Sequence, residues 1–263
     1  MLQHHNTYSA KAWLKLSLFL LAFFTIGQFG IQPARAATWT ICQSGNCDYS
    51  SIQAAINDSS DGDILQFKPE NSISEKYFET ITLNKSLTFL GQKTIIDTPN
   101  SGAAVIINGN PNVIIENIVI LDDPVNGNDS AGIYLNGGNL TLTNVTLDNN
   151  DASTGFGGAL YIANASSIVQ LNDVTMTKNT AISGGAIYNN GTLTADNLTL
   201  ADNTAIDGGG LYNEGTVIIK NQSALQRNIA SQSGGGIFNA PGQSLTLDSS
   251  NLSNNEASDG AGI

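Results

Sequence analysis

Chemistry on a polypeptide needs clustered carboxylates, a cationic or imidazole base, an activated nucleophile, or a set of metal ligands. Asp122-Asp123 is the only adjacent acidic pair, in the segment Asp122-Asp123-Pro124-Val125-Asn126-Gly127-Asn128-Asp129. Two carboxylates can act as general acid and base. With their neighbours they could offer oxygens to Ca2+, though the ligand order fits no known loop. The same Pro, Gly and Asn composition also makes a polar turn that interrupts a repeat. Past residue 100 the only cations are Lys178, Lys220 and Arg227. Cys42 and Cys47 lie five positions apart with no further cysteine. That is too few ligands for zinc, and it suits a small disulfide loop worth about 2 kcal/mol. Tyr134, Tyr161, Tyr188, Tyr212 and Phe238 recur at one position of a repeat. They form a column that is either an internal or half-buried stack or an exposed strip able to hold sugar rings.

Aligning the repeats sorts the charges. Lys178, Asp202 and Arg227 share one column; Asp196, Lys220 and Asp248 share another. Alternating signs one repeat apart read as salt-bridge ladders on a solvated wall, not as catalytic bases. No catalytic or cofactor-binding constellation converges. The chain has 263 residues, a net charge of −12 and 12% charged residues. An acidic balance excludes a nucleic-acid binder, which must present Lys and Arg to phosphates. With 27 Gly and 31 Asn, turn formers abound, while 6 Pro are too few for a low-complexity linker.

The first 36 residues read as a secretory signal peptide. Lys11 and Lys15 precede the apolar run Leu16 to Ile26, and Ala34-Arg35-Ala36 forms a small-x-small cleavage site. The run is shorter than the ~20 residues a membrane span needs. Cleavage between Ala36 and Ala37 removes His4, His5, Lys11, Lys15 and Arg35. Seven cations then face 22 acids, a formal charge of −15 with no histidine. Export also permits the Cys42–Cys47 disulfide.

Residues 130–263 repeat. Gly157-Gly158-Ala159-Leu160-Tyr161 returns from Gly184, Gly208 and Gly234, at intervals of 27, 24 and 26 residues. Degenerate copies begin at Ser130 and Gly260, the latter stopping at Ile263. A polar residue precedes an alternating triplet at Asn117, Asn144, Asp173 and Asn197, and Asn-x-Ala recurs at Asn150, Asn179, Asn203, Asn228 and Asn255. Segments of three to five residues with period two are strands that cannot bury an apolar face alone. Stacked coaxially, they bury one continuous core. The spacing predicts a right-handed parallel β-helix of seven or eight turns over residues 37–263, with three strands per turn and stacked Asn side chains at left-handed corners. A propeller would need longer units of four strands. Asn139, Asn144 and Asn197 also head glycosylation sequons, a pattern that Asn- and Thr-rich repeats produce by chance.

Residues 37–66 read as an N-terminal cap and first strand. Asp48 or Ser50 is placed to cap a short helix, Ser50-x-x-Gln53 has capping-box spacing, and Tyr49, Ile52, Ala55 and Ile56 share a face. Ile64 to Phe67 is then the first strand. A helix there would cover the open edge of the solenoid.

Two resemblances follow from these residues. Ser51-Ile52-Gln53-Ala54-Ala55-Ile56, Gly62-Asp63-Ile64 and Glu79 through Gly91 resemble the opening of pectin-lyase-like β-helices, which implies the fold and, more weakly, a carbohydrate-active enzyme. Lyases of that fold use an Arg or Lys base and often Ca2+ held by Asp. The histidine and arginine motifs of polygalacturonases and the Asp-Phe-Ile-Phe-Gly stretch of pectin methylesterases are missing. The Gly-Gly-Ala-Ile/Leu units resemble the repeats of polymorphic outer-membrane proteins. Met176, Leu200, Leu225 and Leu252 stand where that family has Phe, ahead of Asn179, Asn203, Asn228 and Asn255. This resemblance implies an exported autotransporter-like passenger linked to adhesion. The expectation is a non-enzymatic secreted, cell-surface or outer-membrane protein whose partner is a polysaccharide or a host or cell-surface protein. The alternatives are a polysaccharide lyase or hydrolase, or part of a longer outer-membrane protein. The sequence reaches Ile263 in mid-repeat without a barrel, so the expectation is membrane association only through export or a missing downstream region, and end-to-end association of a bare final repeat.

Overall fold

The structure, a computed structural model, describes residues 35–68, 74–98, 102–122 and 131–263. Residues 1–34 of the expected signal peptide, and Asp123 with the rest of its loop, lie outside the described residues. Among those described, no helix is long and apolar enough to cross a membrane.

The compact unit, Ala36–Ile263, is a parallel β-solenoid of about eight turns with one short helix. One turn shows the plan. Ile168–Asn172 forms the first wall, Thr175–Thr177 the second, Thr180–Ser183 the third and Ile187–Asn189 the fourth. Thr192–Asp196 then lies parallel on Ile168–Asn172 in unbroken register. The first two walls form one sheet of 15 strands, because Thr88–Thr98 and Asn112–Asp122 span both. The fourth wall has seven strands and the third has four.

Three strands per turn holds at Ile64–Phe67, Glu75–Phe78 and Ile81–Leu83, and the next turns have two because Thr88–Thr98 and Asn112–Asp122 each span two walls. The turns beginning at Asn139, Ile168, Thr192 and Thr216 have four, because the segment after the second corner becomes a short strand beginning at Asp151, Thr180, Thr204 or Ile229. Period-two alternation sends one set of side chains inward, as in Val169 and Leu171 or Leu193 and Ala195. Stacking continues this set into a single hydrophobic core from Ile41 to Ile237, mostly aliphatic with Phe67, Tyr77 and Phe89 at its N-terminal end.

The corners have separate causes. At the first corner, Asn117, Asn144, Asp173 and Asn197 have φ of 52–58°. At the second, the left-handed residues are Asn149, Lys178, Asp202, Arg227 and Asn254, not the Asn-x-Ala asparagines that follow. Those asparagines are the buried ladder. At the third, Gly184 has φ +67°, and a Cβ on it would sit 2.0 Å from the Ile187 carbonyl oxygen. Gly185 is needed for a different reason: a Cβ there would lie 2.2 Å from the Gly209 carbonyl of the next turn.

The N-terminal segment departs from the sequence reading in two ways. The first strand is Thr38–Ile41, ahead of the helix, paired parallel with Ile64–Phe67. The helix is Ile52–Asp58, and its N-cap is Ser51, whose side chain accepts from the Ala54 N–H at 3.2 Å. Asp48 instead accepts from the Thr40 N–H and hydroxyl, both at 2.8 Å. Gln53 turns away from a capping box and pairs with the backbone of Thr82. Ile52, Ala55 and Ile56 are buried as expected, and Tyr49 packs against the core. Cys42 and Cys47 form a disulfide with Cα atoms 5.6 Å apart.

Candidate functional site

The outer side of the fourth wall gathers the most aromatic surface. Leu160, Ile187, Leu211 and Ile237 point inward, so the next residue of each strand points out. In-register pairing stacks Tyr134, Tyr161, Tyr188, Tyr212 and Phe238 in one half-buried column. Of the expected arrangements, the half-buried stack is the one observed, on the outer face of the wall. Tyr188 and Tyr212 are stacked at 5.1 Å with their planes 4° apart, and Tyr212 and Phe238 at 4.7 Å and 16°. Parallel rings at that spacing turn their faces to one another, which leaves only edges for a sugar. Toward Tyr134 the rings tilt: Tyr134–Tyr161 is at 55° and Tyr161–Tyr188 at 85°.

Phe156, 41% exposed, breaks the pattern. A register shift between Ala152 and Phe156 carries it over the third corner, 5.0 Å from Tyr188 and 5.7 Å from Tyr161. Beside it lies a concavity of about 320 Å3, lined by Ala103, Ile106, Ala131, Tyr134, Phe156 and Tyr161 among others. Its lining is apolar, so it suits an apolar or aromatic group better than a charged one. The Tyr188 hydroxyl bonds the Glu214 carboxylate; burial first, then that bond, raises the phenol's pKa above its ordinary value.

The expected charge columns resolve into pairs. Arg227 makes a two-pronged bridge to Asp202, with Nε to Oδ1 at 2.7 Å and a terminal nitrogen to Oδ2 at 2.8 Å. This bond holds the Asp202 carboxyl below its usual range, and Lys178 adds attraction through space. Lys220 approaches Asp196 at 3.8 Å, while Asp248 accepts from the Ser249 hydroxyl. Neither column faces a pocket wall named above. The side chain of Asp122 and all of Asp123 lie outside the described residues. Among the described residues, no three of His, Cys, Asp and Glu gather at a metal position.

Two arrangements escaped sequence reasoning. Lys76 pairs with Asp97, a buried carboxylate whose Oδ1 has no hydrogen-bond partner among the described residues, and Lys76 Nζ lies 4.9 Å from the centre of the Phe78 ring. Only the pairing of Glu75–Phe78 with Thr88–Thr98 brings these residues together, so no spacing signal exists. The second is a ladder on the fourth wall, Asn189 to Asn213 to Asn239, at 2.9 and 2.7 Å. Its signal was present, an Asn two residues past Ile187, Leu211 and Ile237.

With the geometry in place, comparison with protein families finds one match. Residues 173–190 match the Chlamydia polymorphic membrane protein (Chlamydia_PMP) repeat. The matched stretch runs from the left-handed corner Asp173, through the buried Asn179 and the close-packed Gly184-Gly185, to the end of the fourth wall. A comparison with curated proteins finds no match.

Proposed function

We propose that this chain is an exported, surface-displayed β-solenoid that works by binding, as a passenger of the polymorphic outer-membrane type, and not by catalysis. The observation that carries this reading is the repeat match, set in a solenoid whose inward positions are all structural. In this reading residues 1–36 are the signal, removed between Ala36 and Ala37, and the helix Ile52–Asp58 is the N-terminal cap. The solenoid winds right-handed, the sense that parallel crossovers adopt. The partner, a polysaccharide or a host or cell-surface protein, contacts the fourth wall at its tilted end. There Phe156, Tyr134 and Tyr161 border an apolar hollow, whereas Tyr212 and Phe238 spend their faces on each other.

The exported protein is incubated with immobilised polysaccharides and with cell-surface protein extracts, and both retention and polymer cleavage are scored. Retention without cleavage is expected. Phe156→Ala should weaken it about tenfold or more, the loss typical of an anchoring aromatic, while Tyr212→Ala should leave it near the parent value. Polymer cleavage would replace this reading with a carbohydrate-active enzyme, and equal losses in both variants would displace the site.

A further inference from the structure

The Asp63 carboxylate is 5% exposed and occupies the turn before the strand Ile64–Phe67. Its Oδ1 accepts from the backbone nitrogen of Ala37 at 2.7 Å. Its Oδ2 accepts from the Trp39 indole N–H at 3.1 Å and the Ser60 N–H at 2.9 Å. The charged groups around it are accounted for. Lys85 acts on Asp63 through space, but its Nζ is bonded to the carbonyls of Ile56, Asn57 and Ser59. Asp61 accepts from the Ser86 N–H. Burial pushes the carboxyl up, but the bonds from Ser60, Ala37 and Trp39 outweigh it and hold the group below its ordinary range, so it is a charged acceptor; among the described residues no side-chain cation touches it.

Ala37 is also the residue that export would make the first of the mature chain. Its carbonyl accepts from the Ile64 N–H at 2.8 Å, which fixes its nitrogen against Asp63 in the first parallel pair. Arg35 and Ala36 are exposed, within reach of a peptidase. We propose that hydrolysis of the Ala36–Ala37 bond supplies a cation to this charged acceptor, and that the new α-ammonium of Ala37 forms a half-buried ion pair with Asp63 that locks the first turn of the solenoid. One water is consumed: Ala36 leaves with a carboxylate, and Ala37 keeps its nitrogen as an ammonium. Processing thus converts a neutral N–H donor into a charged one without moving it, turning a bond that is charge-assisted on the acceptor side alone into an ion pair. Asp63 is the positioning residue, and Trp39 and Ser60 hold its second oxygen.

The proposal rests on the export reading, and the test separates the two. The full-length gene is expressed with export, and the product's N-terminus is read by sequencing and intact mass. A product beginning at Ala37 is expected; any other N-terminus overturns the cleavage reading and this proposal with it. The α-amine is then titrated by 15N NMR in that product. It should titrate above about 9, against an ordinary value of about 7.7–8.0, and fall back toward 8 in Asp63→Asn. A second variant, with one Gly inserted between Ala36 and Ala37, moves the amine off the carboxylate while leaving every side chain intact. Because pairing raises the folded-state pKa of an amine, its stabilisation is complete below pH 8 and is lost as pH rises through the folded value. The parent should therefore lose about 2–4 °C of Tm between pH 7.5 and 9.5 relative to the Gly-inserted form. An amine at Ala37 that titrates near 8 and ignores Asp63→Asn overturns the ion pair and leaves the export reading standing.

Discussion

A buried asparagine in this protein does a job no apolar residue of its size could take. Asn203 donates its backbone N–H and its Nδ2 to Asn228 Oδ1 at 3.1 and 2.9 Å, and Nδ2 also reaches the Met176 carbonyl at 3.0 Å. Its own Oδ1 accepts the same two donors from Asn179, both at 2.9 Å. The side chain thus fills backbone valences that the corner would otherwise leave empty. Asn203→Leu strands two donors on Asn179 and the acceptor at Met176, each worth about 1–3 kcal/mol when buried. We expect a loss of at least about 3 kcal/mol in urea unfolding. Asn197→Gly, at an exposed left-handed corner on the ladder to Asp173 (2.7 Å), should change stability by less than about 1 kcal/mol. Equal losses would mean that the exposed corner ladder contributes as much as the buried one, and that burial is not what makes Asn203 costly to replace. The sequence already showed which positions were asparagine and that they would stack. It did not show which would be left-handed. At the second corner that role fell to Asn149, Lys178, Asp202, Arg227 and Asn254, residues whose only common property is preceding the ladder.

At the scale of elements, the helix Ile52–Asp58 is the informative case. Seven residues are too few to hold a helix in water by propensity, so its ends must be held from outside. The Glu79 carboxylate accepts from the Ser51 hydroxyl at 2.9 Å and from the N–H groups of Ile52 and Gln53 at 3.1 and 3.0 Å. Lys85 takes the carbonyls at the other end, at 2.7–2.9 Å. An acid at the N-terminus and a cation at the C-terminus also match the helix dipole. Removing the carboxylate in Glu79→Ala should raise hydrogen exchange at the Ala55 and Ser59 amides about tenfold or more, since bonds to a charged group contribute about 1.5–3 kcal/mol. The ladder amides of Asn203 and Asn228 should be unaffected. If all amides accelerate together, the helix and solenoid open as one unit, and the two-ended clamp is not what holds the helix. The sequence presented Glu79 and Lys85 as parts of a resemblance and the helix's buried face by its period. It could not pair Glu79 with Ser51, 28 residues away, because that contact exists only once the first turn closes.

For the molecule as a whole, contacts run almost entirely between adjacent turns, so stability should behave as a sum of turns and their interfaces. The three turns from Ile168 to Asn239 carry the same set of vertical fittings: the buried Asn, the Gly pair, the outward aromatic and the second Asn ladder. Deleting residues 203–227 removes one such set without breaking register. Asp202 then runs into Asn228, Asn179 meets Asn228 in the ladder, Tyr188 meets Phe238, Asn189 meets Asn239, and Thr192–Asp196 lies over Ser244–Leu247. Lys178 and Asp202 remain opposite in sign on neighbouring turns. This variant should fold cooperatively with the parent's β-type circular dichroism and a urea m-value smaller by roughly a tenth, in proportion to the surface removed. Deleting only residues 203–214 joins Asp202 to Gly215. It leaves a turn with no third or fourth wall and orphans the donors of both Asn179 and Asn189. That shorter cut should abolish cooperative unfolding although it removes fewer residues. If the two deletions behave alike, vertical register is not what specifies this fold, and the repeat period is a relic of duplication without a continuing physical role.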